Sequence, residues 1–232
     1  MTCCGAPAWA CQFDRKRAVQ DLRDYRDGGP AATTQALIGA LVRAGVEQRT
    51  VLDIGGGVGA IQLELLKAGA REATSVDVSA AYLDAAREEA VRQGFSGRIT
   101  FQLGDFVDLA PRIPAADIVT LDRVVCCYAQ MEPLVRLSAE HCRWLFGLVY
   151  PRDRWLERSV VGIQNAFRWL WRNPFRSFVH SVDAMDALIR SLGFTVRRRV
   201  RTFAWEVVVY EKEVKPAFNA SFRTRAVAEP AL

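Results

Sequence analysis

From Thr50 onward the chain alternates short β-rich runs with helical stretches. TVLDI at 50–54 precedes a helix over 59–68, ATSVDV at 73–78 one over 80–93, and ADIVTLD at 116–122 one over 131–141, with RITFQ at 98–102 between them. A parallel pair of strands cannot be closed by a tight turn, so this alternation predicts parallel strands joined by crossover helices. CRWLFGLVY at 142–150 is a further apolar strand run, and Asp183 to Ser191 reads as a helix ended by Gly193. FTVRRRVRTF and WEVVVYEK follow with almost nothing between them, which predicts an antiparallel hairpin at the sheet's edge.

Upstream, Ala18, Val19, Leu22 and Tyr25 recur at helical spacing within 14–27, Gly28-Gly29-Pro30 stops that helix, and a second runs from Thr33 to Ala44. The expected organisation is a leader and cap helix over 1–30, an α/β domain over 31–212 with a helical insertion at 152–180, and a disordered tail over 213–232. A chain of 232 residues, half of them hydrophobic, suits one decorated domain rather than two.

No apolar run approaches the roughly 20 residues that span a bilayer, and charges interrupt the N-terminal region, so the expected location is cytoplasmic. Six cysteines include the adjacent pairs Cys3/Cys4 and Cys126/Cys127 without zinc-type spacing. They read as reduced thiols. No metal is expected, because Cys3, Cys4 and Cys11 lack an evident fourth ligand. The formal charge of +5 suits an acidic substrate or a membrane surface without requiring either.

Asp53-Ile54-Gly55-Gly56-Gly57-Val58-Gly59 lies between a strand run and a helix. Glycines there let a ligand approach the backbone closely, at an entropic cost that packing does not return, so a small ligand is expected against the loop. Gly55, Gly57 and Ala60 also satisfy a G-x-G-x-x-A fingerprint, so the loop alone admits a nicotinamide dinucleotide or S-adenosylmethionine. Asp53 favours the second, because a carboxylate two residues before the first glycine repels a pyrophosphate and attracts an ammonium. Asp77, ending the next strand run, suits the ribose of either.

Four segments together resemble the S-adenosylmethionine-dependent methyltransferase family with the Rossmann-like fold: VLDIGGGVG at 51–59, SVDVS at 75–79, LGDF at 103–106 and DIVTLDRVV at 117–125. The resemblance covers roughly residues 30 to 212. It implies an α/β fold, with a Rossmann-like seven-stranded, mostly parallel sheet, a C-terminal antiparallel hairpin and helices on both faces. It also implies a methyltransferase that uses S-adenosyl-L-methionine. Asp53, Ile54, Gly55, Gly57 and Gly59 would then face its methionine part, and Asp77 with Val78 its ribose. Gly104 and Asp105 would meet the adenine amino group with Phe106 against the ring, and Asp122 would lie near the methyl group. Asp105 can equally be a turn residue, and Asp122 a helix cap. The competing functions are an NAD(P)-dependent oxidoreductase and a non-catalytic S-adenosylmethionine-binding module.

Ligands of open α/β sheets occupy the crevice beyond the strand C-termini, so Asp122 to Tyr128, Tyr150 and the segment after it are the expected acceptor wall, with the helix around Tyr25 and Arg26 closing over them. Transfer from a sulfonium depends more on positioning and desolvation than on a strong base, and the catalytic candidates are His180, Tyr128 and Asp122. His141, at a helix end, is expected against carbonyls. The expected acceptor is a small molecule methylated on oxygen, acidic or aromatic. Nucleic acid is disfavoured: Leu121-Asp122-Arg123-Val124 lacks the Asn/Asp-Pro-Pro-Tyr/Phe pattern of base-nitrogen methylating families, and neither Cys126 nor Cys127 follows proline. The overall order resembles the magnesium-protoporphyrin O-methyltransferases, except that the His-Tyr pair expected there is Cys127-Tyr128 here.

Within 152–172, helical angles place Arg154, Arg158, Asn165, Arg168 and Arg172 opposite Leu156, Val160, Ile163, Phe167 and Leu170. The expected arrangement packs the apolar side over the sheet and leaves the arginines solvated. The alternative is a contact with an acidic ligand or a membrane surface, for which Trp155, Trp169 and Trp171 stand near the edges. The sequence sets no oligomeric state.

Overall fold

The computed structural model describes residue 9 and residues 12–213. Cys3, Cys4, Cys11 and the tail beyond Glu213 lie outside them. Two helices, α1 (Arg15–Gly28) and α2 (Ala32–Ala44), lead into β1 (Thr50–Ile54), α3 (Ala60–Lys67), β2 (Glu72–Asp77), α4 (Ala80–Arg92) and β3 (Ile99–Leu103). There follow α5 (Phe106–Leu109), β4 (Ala116–Asp122), α6 (Met131–Glu140), β5 (Cys142–Pro151), α7 (Trp155–Leu170), α8 (Val182–Ser191), β6 (Phe194–Arg201) and β7 (Trp205–Lys212).

The seven strands lie in the order β3-β2-β1-β4-β5-β7-β6. β1 to β5 pair in parallel, whereas β7 runs antiparallel to β5 and to the edge strand β6. The expected hairpin is therefore present, with β7 as its inner arm. Covered on both faces, the sheet alternates its apolar residues between two layers. Leu145 and Val149 of β5 join Leu37, Leu41, Leu63 and Leu66 on one side, and Phe146, Leu148 and Tyr150 join Leu134, Val135, Met185 and Ile189 on the other. Strand order reverses between β1 and β4, so the loops after these strands diverge and open a crevice at their C-terminal ends.

Three expectations change. Tyr150, expected on the acceptor wall, is buried within the second layer. Tyr25 and Arg26 do not close over the cleft: the Tyr25 hydroxyl donates to Glu64 of α3 (2.8 Å), and Arg26 pairs with Glu88 and Glu89 of α4 (2.8 Å each). The insertion helix α7 is inverted relative to the packed arrangement. Val160, Ile163, Phe167 and Leu170 are exposed, while the side turned to the protein is polar and Glu157 is its one buried residue. Amphipathicity defines two faces but not which one the rest of the chain engages. Here hydrogen bonds from Asn165 and Arg168 to the 173–180 segment, and from Arg154 to the β6–β7 turn, decide it. Among the described residues no helix is long and apolar enough to cross a membrane.

Candidate active site

The loop after β1 is shaped by what approaches it. Gly55 has φ +65°, and a Cβ there would meet Val124 Cγ2, in the loop after β4, at 2.5 Å; the two loops touch at the point where strand order reverses. Beneath the loop, polar atoms gather without partners. Asp53 Oδ1 accepts from the Thr120 hydroxyl (2.7 Å), but among the described residues Asp53 Oδ2, Ser75 Oγ and both amide atoms of Gln62 are buried and unbonded. Asp53 Oδ2 and Ser75 Oγ lie 2.9 and 3.0 Å from where a Cβ on Gly56 would stand, so a side chain there would crowd both atoms.

Burial is the main cause that raises Asp53, the Thr120 hydroxyl opposes it, and the carboxylates of Asp122 and Asp77 add to it, leaving Asp53 pushed up to about 7. A buried carboxylate with an open oxygen, among other acids, is complementary to a cation. The chain thus fits the ammonium and sulfonium of S-adenosylmethionine better than a pyrophosphate.

Asp77, at the end of β2, holds the loop in place: Gly57 N–H donates to Oδ2 (3.0 Å) and Ser79 N–H to Oδ1 (2.8 Å). Burial raises its pKa, against these backbone bonds. Val78 beside it is half-buried. At the end of β3, Gly104 N–H bonds to the Asp77 carbonyl (3.0 Å), and Asp105 caps α5 through Val107 N–H (2.9 Å) while accepting from the Tyr128 hydroxyl (2.6 Å). Both side-chain bonds use Oδ1, so the turn role of Asp105 is present and Oδ2 stays open. The side chains of Ile54 and Phe106 belong to the core; Phe106, expected against an adenine ring, is 1% exposed and sits edge-on to His141 at 5.4 Å.

Asp122 ends β4 beneath the N-terminus of α2, where the buried Thr34 hydroxyl donates to it and Arg123 Nε bonds it at 3.1 Å. It caps no helix through its side chain. Arg123 takes φ 60°, a conformation uncommon for a residue with a side chain, and turns the chain into the 125–128 segment. There the thiols of Cys126 and Cys127 point to the same Arg123 carbonyl (3.2 and 3.6 Å).

His180 fastens this turn. Its Nε2 lies 2.8 Å from the Tyr128 carbonyl and 3.2 Å from that of Val125; two acceptors require Nε2 to donate, so Nδ1 is the ring nitrogen turned away from these bonds. The ring also lines an open cleft of about 600 Å³ with Met131, Glu132 and Arg136. Tyr128 is a poor base, because burial and its bond to Asp105 push its phenol upward. His141 meets the carbonyls of Leu137 and Ala110 (2.8 and 2.9 Å), as expected of a helix-end residue.

The arginine face of α7 divides. Arg158 is exposed and paired with Asp153 (2.6 Å). Arg168 turns inward, bonding Asn165 and Ser177 and lying 5.2 Å from the Phe175 ring. Burial lowers its guanidinium below the usual range, and the like charges of Arg17 and Arg176 act in the same direction. Among the described residues none of these three arginines pairs with a carboxylate. Arg17 precedes the end of β1 by 37 residues and Phe175 follows the end of β4 by 53, so only the fold reveals them; Phe175 meets Phe13 edge-on at 5.5 Å.

Residues 51–146 match the family model described as a methyltransferase domain. Ribosomal protein L11 methyltransferase of Enterobacter sp. (strain 638) is 30% identical over 107 residues, 46% of this chain and 36% of that protein. The chain spans about a third of the length of the curated relatives it matches. Among solved structures, magnesium protoporphyrin IX methyltransferase from Synechocystis PCC 6803 with bound SAH has a TM-score of 0.68 at 19% identity, covering 88% of this chain and 95% of that one. An O-methyltransferase family protein from Burkholderia thailandensis reaches 0.64 at 18% identity, covering 88% and 64%. The domain match over β1 to β5, joined to the strand order and the glycine loop, makes residues 51–146 similar to a methyltransferase domain, within a fold shared with solved methyltransferases.

Proposed function

We propose that this chain transfers the methyl group of S-adenosylmethionine to an oxygen of a small acidic or aromatic acceptor, in the cytoplasm, where thiols such as Cys126 and Cys127 stay reduced. The reading takes residues 31–212 as one catalytic unit with 152–180 as its insertion. The observation that carries it is the open carboxylate oxygen of Asp53 beneath the glycine loop. When bound, S-adenosylmethionine supplies a methyl carbon already activated by its sulfonium.

The chain's own residues then do three things. Asp53, once ionised, holds the ammonium; Asp77 keeps Gly57 in place and offers its remaining lone pairs to the ribose hydroxyls, with Gly104 and Asp105 at the adenine end. Arg17, Arg168 and Arg176 give the acceptor side an unbalanced positive field, which holds and orients an anionic acceptor. His180 and Asp122 fix the 122–128 turn between the two. A carboxylate acceptor needs no base; for a hydroxyl acceptor the Nδ1 side of His180 takes the proton.

The test is turnover with methyl-labelled S-adenosylmethionine against a panel of small aromatic carboxylates and phenols, with RNA and a protein substrate in parallel. Label is expected in a base-labile ester or an aryl ether. Transfer to RNA or protein alone would overturn the acceptor class.

A further inference from the structure

We propose that the outer face of α7 docks on an anionic lipid bilayer. Helical spacing gathers Val160, Ile163, Phe167, Leu170 and Trp171 along one side, and these side chains are 44% to 73% exposed. Trp155 at the start of the helix and Trp169 near its end are 77% and 70% exposed. Phe203, at the tip of the β6–β7 hairpin and 76% exposed, lies beside the start of the helix, where the Arg154 guanidinium is 5.4 Å from its ring and bonds to its carbonyl. An apolar surface this continuous on a water-facing helix marks a contact rather than a decoration.

The helix cannot bury this side by rolling over, because its other side is committed. Arg154 is bound to Glu157, Asn165 Nδ2 donates to the Ser177 carbonyl (2.7 Å), and Asn165 Oδ1 accepts from Ser177 N–H (3.0 Å). What covers the apolar side must come from outside, and charge selects it. Residues 152–176 carry six arginines against two carboxylates, and those two, Asp153 and Glu157, are already paired within the segment. A second copy of the chain would set this positive rim against itself, which disfavours a symmetric dimer. An anionic bilayer meets both requirements: apolar side chains enter the interface, tryptophans sit at headgroup level and the exposed Arg158 and Arg172 meet lipid phosphates. The inference is independent of the acceptor's identity, and its test reads binding without turnover.

The full chain is incubated with sucrose-loaded vesicles of phosphatidylcholine alone or of equal parts phosphatidylcholine and phosphatidylglycerol, then sedimented, with tryptophan emission recorded. Sedimentation with the anionic vesicles, a blue-shifted emission, and weakening at high salt are expected. The Phe167→Glu/Leu170→Glu double variant should lose affinity on the order of a hundredfold. Both side chains are exposed, so unchanged circular dichroism and S-adenosylhomocysteine binding are expected to show that the variant is folded. Equal partitioning of variant and parent would overturn the proposal. So would an absence of vesicle binding, or a dimer in analytical ultracentrifugation that the same double substitution dissolves.

Discussion

Replacing Asp53 with Asn should make the protein more stable and a poorer binder at once. The carboxyl is 1% exposed and its pKa in the fold is about 7, against 3.8 for the ordinary side chain. Between those values the folded chain holds a proton that the unfolded chain releases, so folding stability falls as pH rises and the loss is complete above about 7. A shift of this size corresponds to an upper limit of about 4 kcal/mol at pH 8, at about 1.4 kcal/mol per unit. Asn keeps an oxygen for the Thr120 hydroxyl and removes the charge. Thermal unfolding should therefore show an advantage for Asp53→Asn that is small at pH 5 and grows toward pH 8, reaching several degrees at about 2–4 °C per kcal/mol. Binding should move the other way. A carboxylate that holds an ammonium contributes about 1.5–3 kcal/mol, so affinity for S-adenosylhomocysteine falls about tenfold or more. In the parent, affinity should also drop as pH falls through 7 and Asp53 protonates, and the variant should lack that dependence. A variant that is less stable than the parent at pH 8 and binds S-adenosylhomocysteine equally well would refute the reasoning and leave Asp53 as a partner of Thr120 alone.

Asp77→Ala should weaken S-adenosylhomocysteine binding by about 1.5–3 kcal/mol in calorimetry and also lower the unfolding midpoint, because the Gly57 and Ser79 amides lose their acceptor. Gly56→Ala places a methyl group 2.9 Å from Asp53 Oδ2 and should cost about 1–3 kcal/mol in stability, measured by urea unfolding, with a loss of ligand affinity. Once an acceptor is found, Arg168→Gln should raise its KM with little change in kcat or in donor affinity, and the effect should shrink at high salt; Arg158→Gln, already paired with Asp153 in solvent, should change neither.

The strand ends were legible because their chemistry is local. A glycine-rich turn after an apolar run, an acid at the end of the next, and Gly104-Asp105 after the third need no knowledge of distant packing, and all sit at one edge of the sheet. What escaped depends on long-range pairing. Thr34, 88 residues from Asp122, donates to it because α2 begins over the end of β4, and nothing near Thr34 signals this. Tyr25 and Arg26 looked suited to a cleft, yet acids on α3 and α4 engage them. Phe106 follows the expected adenine-end aspartate but turns into the core, where an aromatic gains most from burial. Helical spacing defines both faces of α7 but not which one packs, because the acceptors of the deciding hydrogen bonds, the Ser177 and Phe203 carbonyls, lie outside the helix.

Whether the glycine loop and Asp53 hold the ammonium-bearing end of an adenosyl ligand is tested most directly by calorimetric titration of the chain, at pH 8, with S-adenosylhomocysteine and separately with NAD. The account predicts saturable one-to-one binding of S-adenosylhomocysteine and no measurable heat with NAD. Binding of NAD with none of S-adenosylhomocysteine, or no binding of either by a folded protein, would contradict it.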